Sequence, residues 1–562
     1  QGPYVLFEDD TGLGAFTERG IVRPDGGGLH LLGVVIRKSE LREFSHAPTD
    51  LAFDGEQLQA SSGVQDHTPD FPPPCFDEPI VPLAALKQTE LPIHESTWLA
   101  LGGGLGSFCF VDALRIHGVP AHAVRVVGFE ASPYARYARL CRQSQIPLHE
   151  RLRSNSESCP DNLWGFPGYA LREALSSAIR LRLGPAWSAL WQVSLEPDLA
   201  ATFTPRADQV FASLDAEARR IHWGRMLHRG RIRAVRKLDD GRYVVAVSSR
   251  DQQPERALYV GEHVHVALGY PGVQFLPDLR QFRESTLLFD RVVNAYEEHE
   301  AVYDRLEGRG GRVLLRGRGI VASRVLQRLH EARRKNKDIE VVHLMRSKNT
   351  RGRRVGAARR STANHWEFQP FNWPEAAWGG DLQAVLESAN PDTQEALLKS
   401  WGGTTTANRA DWRRIVKRGL RQGWYRIAFG TLDGLEPRGA GLLARIAGES
   451  VDLDVVIDAT GLVSDVRVNP VYADLIETYD LPLNPQGRFA VDTAFEVPAM
   501  RNGHGRLHMA GVATLGSGYA PVDSFLGLQF AAMAALEVLP VAPLGPIRSV
   551  VQWCRWVLGV RP

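Results

Sequence analysis

The sequence predicts an α/β protein built around two parallel-sheet units, with a β-meander, a helical insert and a small N-terminal module attached. Three observations carry this. A strand, glycine-turn, helix, strand order runs from Trp98 to Phe129, and the same order returns from Arg312 to Met345. The two turns begin at Gly102 and Gly317, 215 positions apart. A chain of 562 residues also exceeds what one core organises, at about 150 residues per domain.

Composition narrows the class. Lys plus Arg number 66 against 64 Asp plus Glu, a formal +2, with 23% charged and 44% apolar residues. That balance is globular and excludes wholesale disorder, a collagen-like fibre and a dedicated polyanion binder. The five cysteines, Cys75, Cys109, Cys141, Cys159 and Cys554, form no CxxC pair. A disulfide scaffold, a four-thiolate zinc site and a CxxC dithiol are therefore excluded, and a reducing, cytoplasmic setting is expected. The chain opens Gln1-Gly2-Pro3 with no basic-then-apolar signal. Its longest apolar stretch, Phe525 to Leu539, is interrupted by Gln529 and Glu537 and stopped by Pro540, too short and polar to span a bilayer.

In chain order, residues 1–68 mix short β-like runs such as Leu31 to Ile36 with the turn Gly26-Gly27-Gly28, and read as a small module of unassigned role. Residues 69–95 hold Pro69, Pro72, Pro73, Pro74, Pro79 and Pro82 and read as an extended linker. The first unit follows over 96–290, with strand Trp98 to Leu101, helix Phe108 to Ile116 and strand Val124 to Phe129. Asp239-Asp240-Gly241 between Ile232–Val235 and Tyr243–Val247 signals a hairpin that leads to Val264–Gly269. The second unit covers 300–365, a mostly helical insert 366–435, a return to the first unit 436–540, and an amphipathic tail 541–562.

The first turn is Gly102-Gly103-Gly104-Leu105-Gly106-Ser107. Glycines let backbone approach phosphate oxygens, and the following helix aims unpaired N–H groups and its positive dipole end at them. Glu130, 26 residues after Gly104 at the end of the next strand, suits ribose hydroxyls, with Ala131 beside it. Ser107 holds the third GxGxxG position, a departure expected to separate helix from strand slightly. The plainer alternative is an ordinary βαβ turn. The second turn reads Gly317-x-Gly319-x-x-Ala322-Ser323, and its next strand ends at Arg346-Ser347-Lys348 instead of an acid. A carboxylate there repels a 2′-phosphate whereas these cations attract it, so NADP(H) is favoured over NAD(H). The bland competitor is a solvated basic stretch: from Arg333 to Arg360, Lys and Arg outnumber Asp338 and Glu340 eleven to two. A nucleic-acid patch is disfavoured because stacking aromatics are lacking until Trp366.

Over about residues 96–540 this order of elements resembles the two-dinucleotide-binding flavoproteins, and within them the single-component FAD- and NADPH-dependent monooxygenases. The resemblance implies FAD at Gly102, Gly104 and Glu130 and the nicotinamide nucleotide at Gly317, Gly319 and Ala322. It matches Ala267-Leu268-Gly269-Tyr270-Pro271 to a domain-crossing Ala-Thr-Gly strand end, with Leu for Thr. It also matches Asp454 to Leu462, including Gly461, to the N-hydroxylase Asp, Ala-Thr-Gly element, with Asp458 and Leu462 departing. Ala510-Gly511-Val512 lacks the Asp of the family's last flavin element, while Asp523 and Ser524 open a helix that could address the flavin. Asn364 to Pro374 is only superficially like the Baeyer-Villiger fingerprint, which disfavours that subtype, and the absence of CxxC disfavours disulfide reductases.

The implied activity is hydride transfer from NADPH to FAD for monooxygenation of a small molecule. The alternatives are a reductase serving a quinone or protein acceptor, and a flavin-bound sensor or scaffold. No catalytic side chain or metal set is assigned. Two segments, Arg153–Tyr169 and the aromatic group His365, Trp366, Trp373, Trp378, read as surface connection or core more readily than as pocket. The tail carries Trp553, Trp556, Arg548, Arg555 and Arg561 around an apolar stripe, which suits packing on a protein surface or, less readily, a membrane headgroup layer.

Overall fold

A computed structural model describes the backbone of three strands within residues 4–22, then residues 71–150, 168–187, 190, 207–249, 255–352, 354–355, 358–369, 381–401, 406–407, 410–517, 522–543 and 549–551. Residues 153–167, Trp373, Trp378, the strand expected at Leu31–Ile36 and most of the C-terminal tail lie outside the described residues. Tyr4–Asp9, Gly12–Thr17 and Gly20–Val22 form an antiparallel sheet. Among the described residues no helix is long and apolar enough to cross a membrane.

The chain divides into two compact bodies. The larger is built on an eight-stranded mixed sheet. Its centre is the long strand Arg256–Val266, which pairs in parallel with Ile93–Leu101 on one side and with Arg506–Met509 on the other. Val124–Gly128 extends the parallel part beyond Ile93–Leu101. The hairpin around Asp240 forms as Arg231–Leu238 and Tyr243–Ser248, and the latter strand runs antiparallel to Arg256–Val266. Alternation along Ile93–Leu101 puts Trp98 and Ala100 against helices Leu105–Ile116 and Phe525–Val538, while Leu99 and Leu101 face a second core with Tyr472 and Phe489.

The proline-dense segment is not a linker. Its prolines do hold extended backbone, but Phe76, Val81 and Leu86 between them are fully apolar and bury against Ala234, Val244 and Leu258, and Ile80–Val81 pairs with Arg231–Leu238. Burial of three large side chains outweighs the tendency of a proline run to stay solvated.

The smaller body holds a five-stranded parallel sheet in the order Val292–Asn294, Val455–Asp458, Gly311–Arg316, Ile339–Met345, Tyr425–Phe429. Two expected boundaries are thereby corrected. Helix Pro277–Thr286 packs Leu279 and Phe282 against Leu314 and Val456, so 272–290 belongs here and not with the first unit. The meander Leu432–Arg438, Gly441–Ile446, Glu449–Leu453 and strand Val455–Asp458 also belong here, so 436–462 is not a return to the first unit. The physical reason is strand pairing over long sequence separation, which local pattern does not encode. Helices Asp381–Ser388, Pro391–Trp401 and Ala410–Gln422 occupy the insert, but its end supplies the edge strand Tyr425–Phe429. Trp366 is fully buried and meets Trp412 edge-on at 5.1 Å, so it is core.

Candidate dinucleotide-binding sites

In the larger body the strand Ile93–Leu101 ends at Gly102, whose φ of +110° and close approach to the Ala267 carbonyl exclude a side chain. Gly103 lies against Gly128, the last residue of the neighbouring strand. Gly104 is the N-cap of helix Leu105–Ile116, with φ −93° and ψ −172°, no side-chain cap, and open space where a Cβ would stand. The first helical N–H groups are thus left uncapped beside a vacant approach, the arrangement a pyrophosphate requires. Ser107 does not push helix from strand: it is fully buried and its hydroxyl donates to the Leu101 carbonyl at 3.3 Å. Gly106 makes the close approach instead, since a Cβ there would lie 2.7 Å from that of Ala267.

The other residues assigned to this site gather at the carboxyl end of the same sheet. Glu130 follows Val124–Gly128, and Arg139 from helix Ala135–Gln143 forms an ion pair with its Oε1. Ala131 is exposed beside it. Gly269, with φ +73°, follows Arg256–Val266, and Gly511, with φ +77°, follows Arg506–Met509. Asp523 precedes the N-cap Ser524, whose Oγ accepts from the Gly527 N–H at 3.1 Å.

Sequence reasoning missed what ties these pieces together. Tyr270 donates its hydroxyl to Asp523 Oδ2 at 2.5 Å, Arg136 donates to the Tyr270 carbonyl, and Arg488 carries a buried Nε–H with no acceptor among the described residues. Their sequence separations are long, and no local pattern announces them.

In the smaller body the second turn repeats the first. Gly317 has φ +125° and its missing Cβ would strike the Ala459 carbonyl. Gly319 caps helix Ile320–Lys335 with φ −78° and ψ −172°, again without a side-chain cap. Ala322 and Ser323 are fully buried, and the Ser323 hydroxyl donates to the Ile320 carbonyl at 2.6 Å, so both serve through close packing. His343, unanticipated from sequence, bonds the Gly317 carbonyl through Nε2 and the Tyr425 hydroxyl through Nδ1 at 2.8 Å. The carbonyl makes Nε2 the donor, and burial, which lowers His343 to about 4, keeps the ring neutral and leaves Nδ1 to accept from the Tyr425 hydroxyl.

Arg346, Ser347 and Lys348 are exposed immediately after Ile339–Met345. The Ser347 carbonyl accepts from Arg318 Nη1 at 3.0 Å, which joins the basic loop to the glycine turn, and Lys348 Nζ lies 5.9 Å from the Phe429 ring. Gly461, with φ +135°, lies in this body, where its carbonyl accepts from the Gln274 N–H at 3.3 Å. Asp458 ends its strand fully buried; one oxygen accepts from the Thr460 N–H at 3.1 Å and the other has no partner among the described residues. Burial raises its carboxyl to about 6, against the pull of Arg316.

No family profile and no curated protein matches the sequence. Solved structures do share the architecture. Desferrioxamine-pathway cadaverine monooxygenase from Erwinia amylovora, bound to FAD, aligns with TM-score 0.57 at 12% identity over 80% of this chain and 98% of that one. Ornithine hydroxylase from Pseudomonas aeruginosa, in its reduced form, aligns with TM-score 0.56 at 14% identity over 78% and 98%. Ornithine N-hydroxylase from Kutzneria sp. 744, with reduced FAD, NADP+ and L-ornithine, gives 0.54 at 12% over 79% and 98%. The chain therefore has the fold of the two-dinucleotide-binding flavin monooxygenases.

Proposed function

We propose that this protein is an FAD-dependent oxidoreductase that consumes NADPH and acts as a monooxygenase on a small molecule. The observation that carries the reading is the pair of uncapped glycine N-termini, Gly104 and Gly319, in nearly the same backbone conformation at the carboxyl ends of two separate sheets. One chain thus offers two phosphate cradles, as a reaction between two dinucleotides demands. The ligands of the structural neighbours, FAD in one and reduced FAD with NADP+ and L-ornithine in another, support the same assignment.

The strand order directs each ligand. In the larger body Val124–Gly128, Ile93–Leu101, Arg256–Val266 and Arg506–Met509 are neighbours in that sequence. With a pyrophosphate at Gly102–Gly106, Glu130 would hold the adenosine ribose on one side, leaving the flavin half to run over Gly269, Tyr270, Gly511 and Asp523 on the other. Flavin bound there would take a hydride from NADPH and pass its electrons to dioxygen for oxygen insertion. Arg139 holds the Glu130 carboxylate in place, and Arg136 and Asp523 fix Tyr270 from two directions. In the smaller body Arg346 would take the 2′-phosphate.

Purified protein is expected to show an oxidised-flavin spectrum that NADPH bleaches anaerobically faster than NADH. Colourless protein that takes up no added FAD would overturn the proposal, and rapid reoxidation by quinones with no oxygenated product would replace the monooxygenase by a reductase.

A further inference from the structure

The turn after strand Arg506–Met509 presents Gly511-Val512 and brings no carboxylate to the flavin end of the cradle. Beside that turn the fold places a cation, Arg488, across from Tyr270 and Asp523. Segment 484–489 is clamped to that turn: the Phe489 N–H donates to the Ala513 carbonyl at 2.9 Å, and the Asn484 amide donates to the Leu515 carbonyl at 3.1 Å. Ser517 Oγ closes the clamp on the Phe489 carbonyl at 3.0 Å. Asn484 Oδ1 also accepts from the Arg488 N–H at 3.2 Å, so the backbone that carries Arg488 is fixed from both sides.

The guanidinium itself is incompletely satisfied. Nη1 donates to the Gln486 carbonyl, while the buried Nε–H has no acceptor among the described residues. Among the described residues, the groups that act on its charge are Tyr270, Asp465 and Asp523; Tyr270 is already bonded to Asp523, and both carboxylates are exposed. Burial lowers the Arg488 pKa despite those carboxylates, so the cation is under-compensated as it stands. A buried donor without a partner costs stability unless something supplies the acceptor.

Resting on the assignment of FAD to the larger body, we infer that Arg488 is the donor and fixed positive charge for the acceptor-rich pyrimidine edge of the flavin, and that it raises the flavin's reduction potential. Reduction by two electrons leaves negative charge on that edge, and a preorganised cation stabilises it more than the neutral oxidised ring. Arg488 thus provides at this end of the cradle what a carboxylate could not.

The test is the midpoint potential of the FAD-bound protein, read anaerobically against a reference dye, with FAD affinity and melting temperature measured alongside. Arg488→Gln is expected to bind FAD and to shift the oxidised-to-reduced ratio at fixed potential about tenfold toward oxidised, equal to about 30 mV for a two-electron couple. Arg488→Lys, which keeps the charge, is expected to recover most of that shift. An unchanged potential in Arg488→Gln with FAD bound would overturn the inference and leave the flavin assignment standing. Equal falls in both variants together with a lower melting temperature would overturn it in favour of packing. Wild-type protein that binds no FAD would end both.

Discussion

Gly102 and Gly104 lie two residues apart in one turn and are required for different reasons. Gly102 has a positive φ and no room for a Cβ, so Gly102→Ala should destabilise the fold by at least ~2 kcal/mol, read from the urea midpoint. Gly104 has an ordinary φ and open space, so Gly104→Ala should leave that midpoint within about 0.5 kcal/mol while weakening FAD binding, because its methyl would stand where the phosphate approaches. At the second cradle, Arg346→Glu is expected to weaken NADP+ binding roughly 10- to 100-fold by calorimetry and to leave NAD+ affinity nearly unchanged. Equal loss with both nucleotides would remove Arg346 from 2′-phosphate recognition. These positions were legible in the sequence because their roles follow from local geometry. His343 was not, because nothing around it in the chain announces a bond to Gly317.

Elements are held to one another by a few buried polar pairs that the sequence leaves unmatched. Helix Pro277–Thr286 is tied to the stretch after strand Val292–Asn294 by Arg283, only 2% exposed, whose Nη1 and Nη2 donate to Glu297 at 2.8 and 3.0 Å. The guanidinium also lies 4.2 Å from the Phe275 ring and 5.2 Å from Phe289. Glu297→Ala should cost about 3–5 kcal/mol in chemical denaturation, since it strands a buried cation. A loss under about 1 kcal/mol would mean that water reaches Arg283. The same long-range logic places residues 436–462 in the smaller body, against the expectation from sequence. Val455–Asp458 is a short apolar strand compatible with either sheet by composition, and only its pairing with Gly311–Arg316 decides the matter.

Across the whole molecule, buried imidazoles set the acid limit. Burial lowers His265 to about 3 and His228, His343 and His508 to about 4, and it lowers His263 and His299 as well. Below about pH 6.5 the unfolded chain binds protons there that the folded chain refuses, so their contribution is present above that pH and is lost as pH falls toward 4. Asp458 opposes them: its raised pKa of about 6 lets the native state bind a proton first, which adds stability as pH falls from about 6 toward 3.8. The lowered imidazoles outnumber the one raised carboxyl, so stability falls overall as pH drops through that window. Denaturation midpoints at pH 7.5, 6 and 5 should show it, and Asp458→Asn should raise stability at pH 7.5 and steepen the fall below 6. A flat profile would mean that these histidines are accessible to solvent. The sequence by itself determined the α/β class, the two glycine turns, the helices they open and the cations after the second unit, because each rests on contacts within a few tens of residues. Only the tertiary structure decided which sheet took each later strand, that the proline-rich segment packs as core, and that Tyr270, Asp523 and Arg488 converge. Such choices depend on free energy from burying surfaces hundreds of residues apart in the chain, which no local periodicity records.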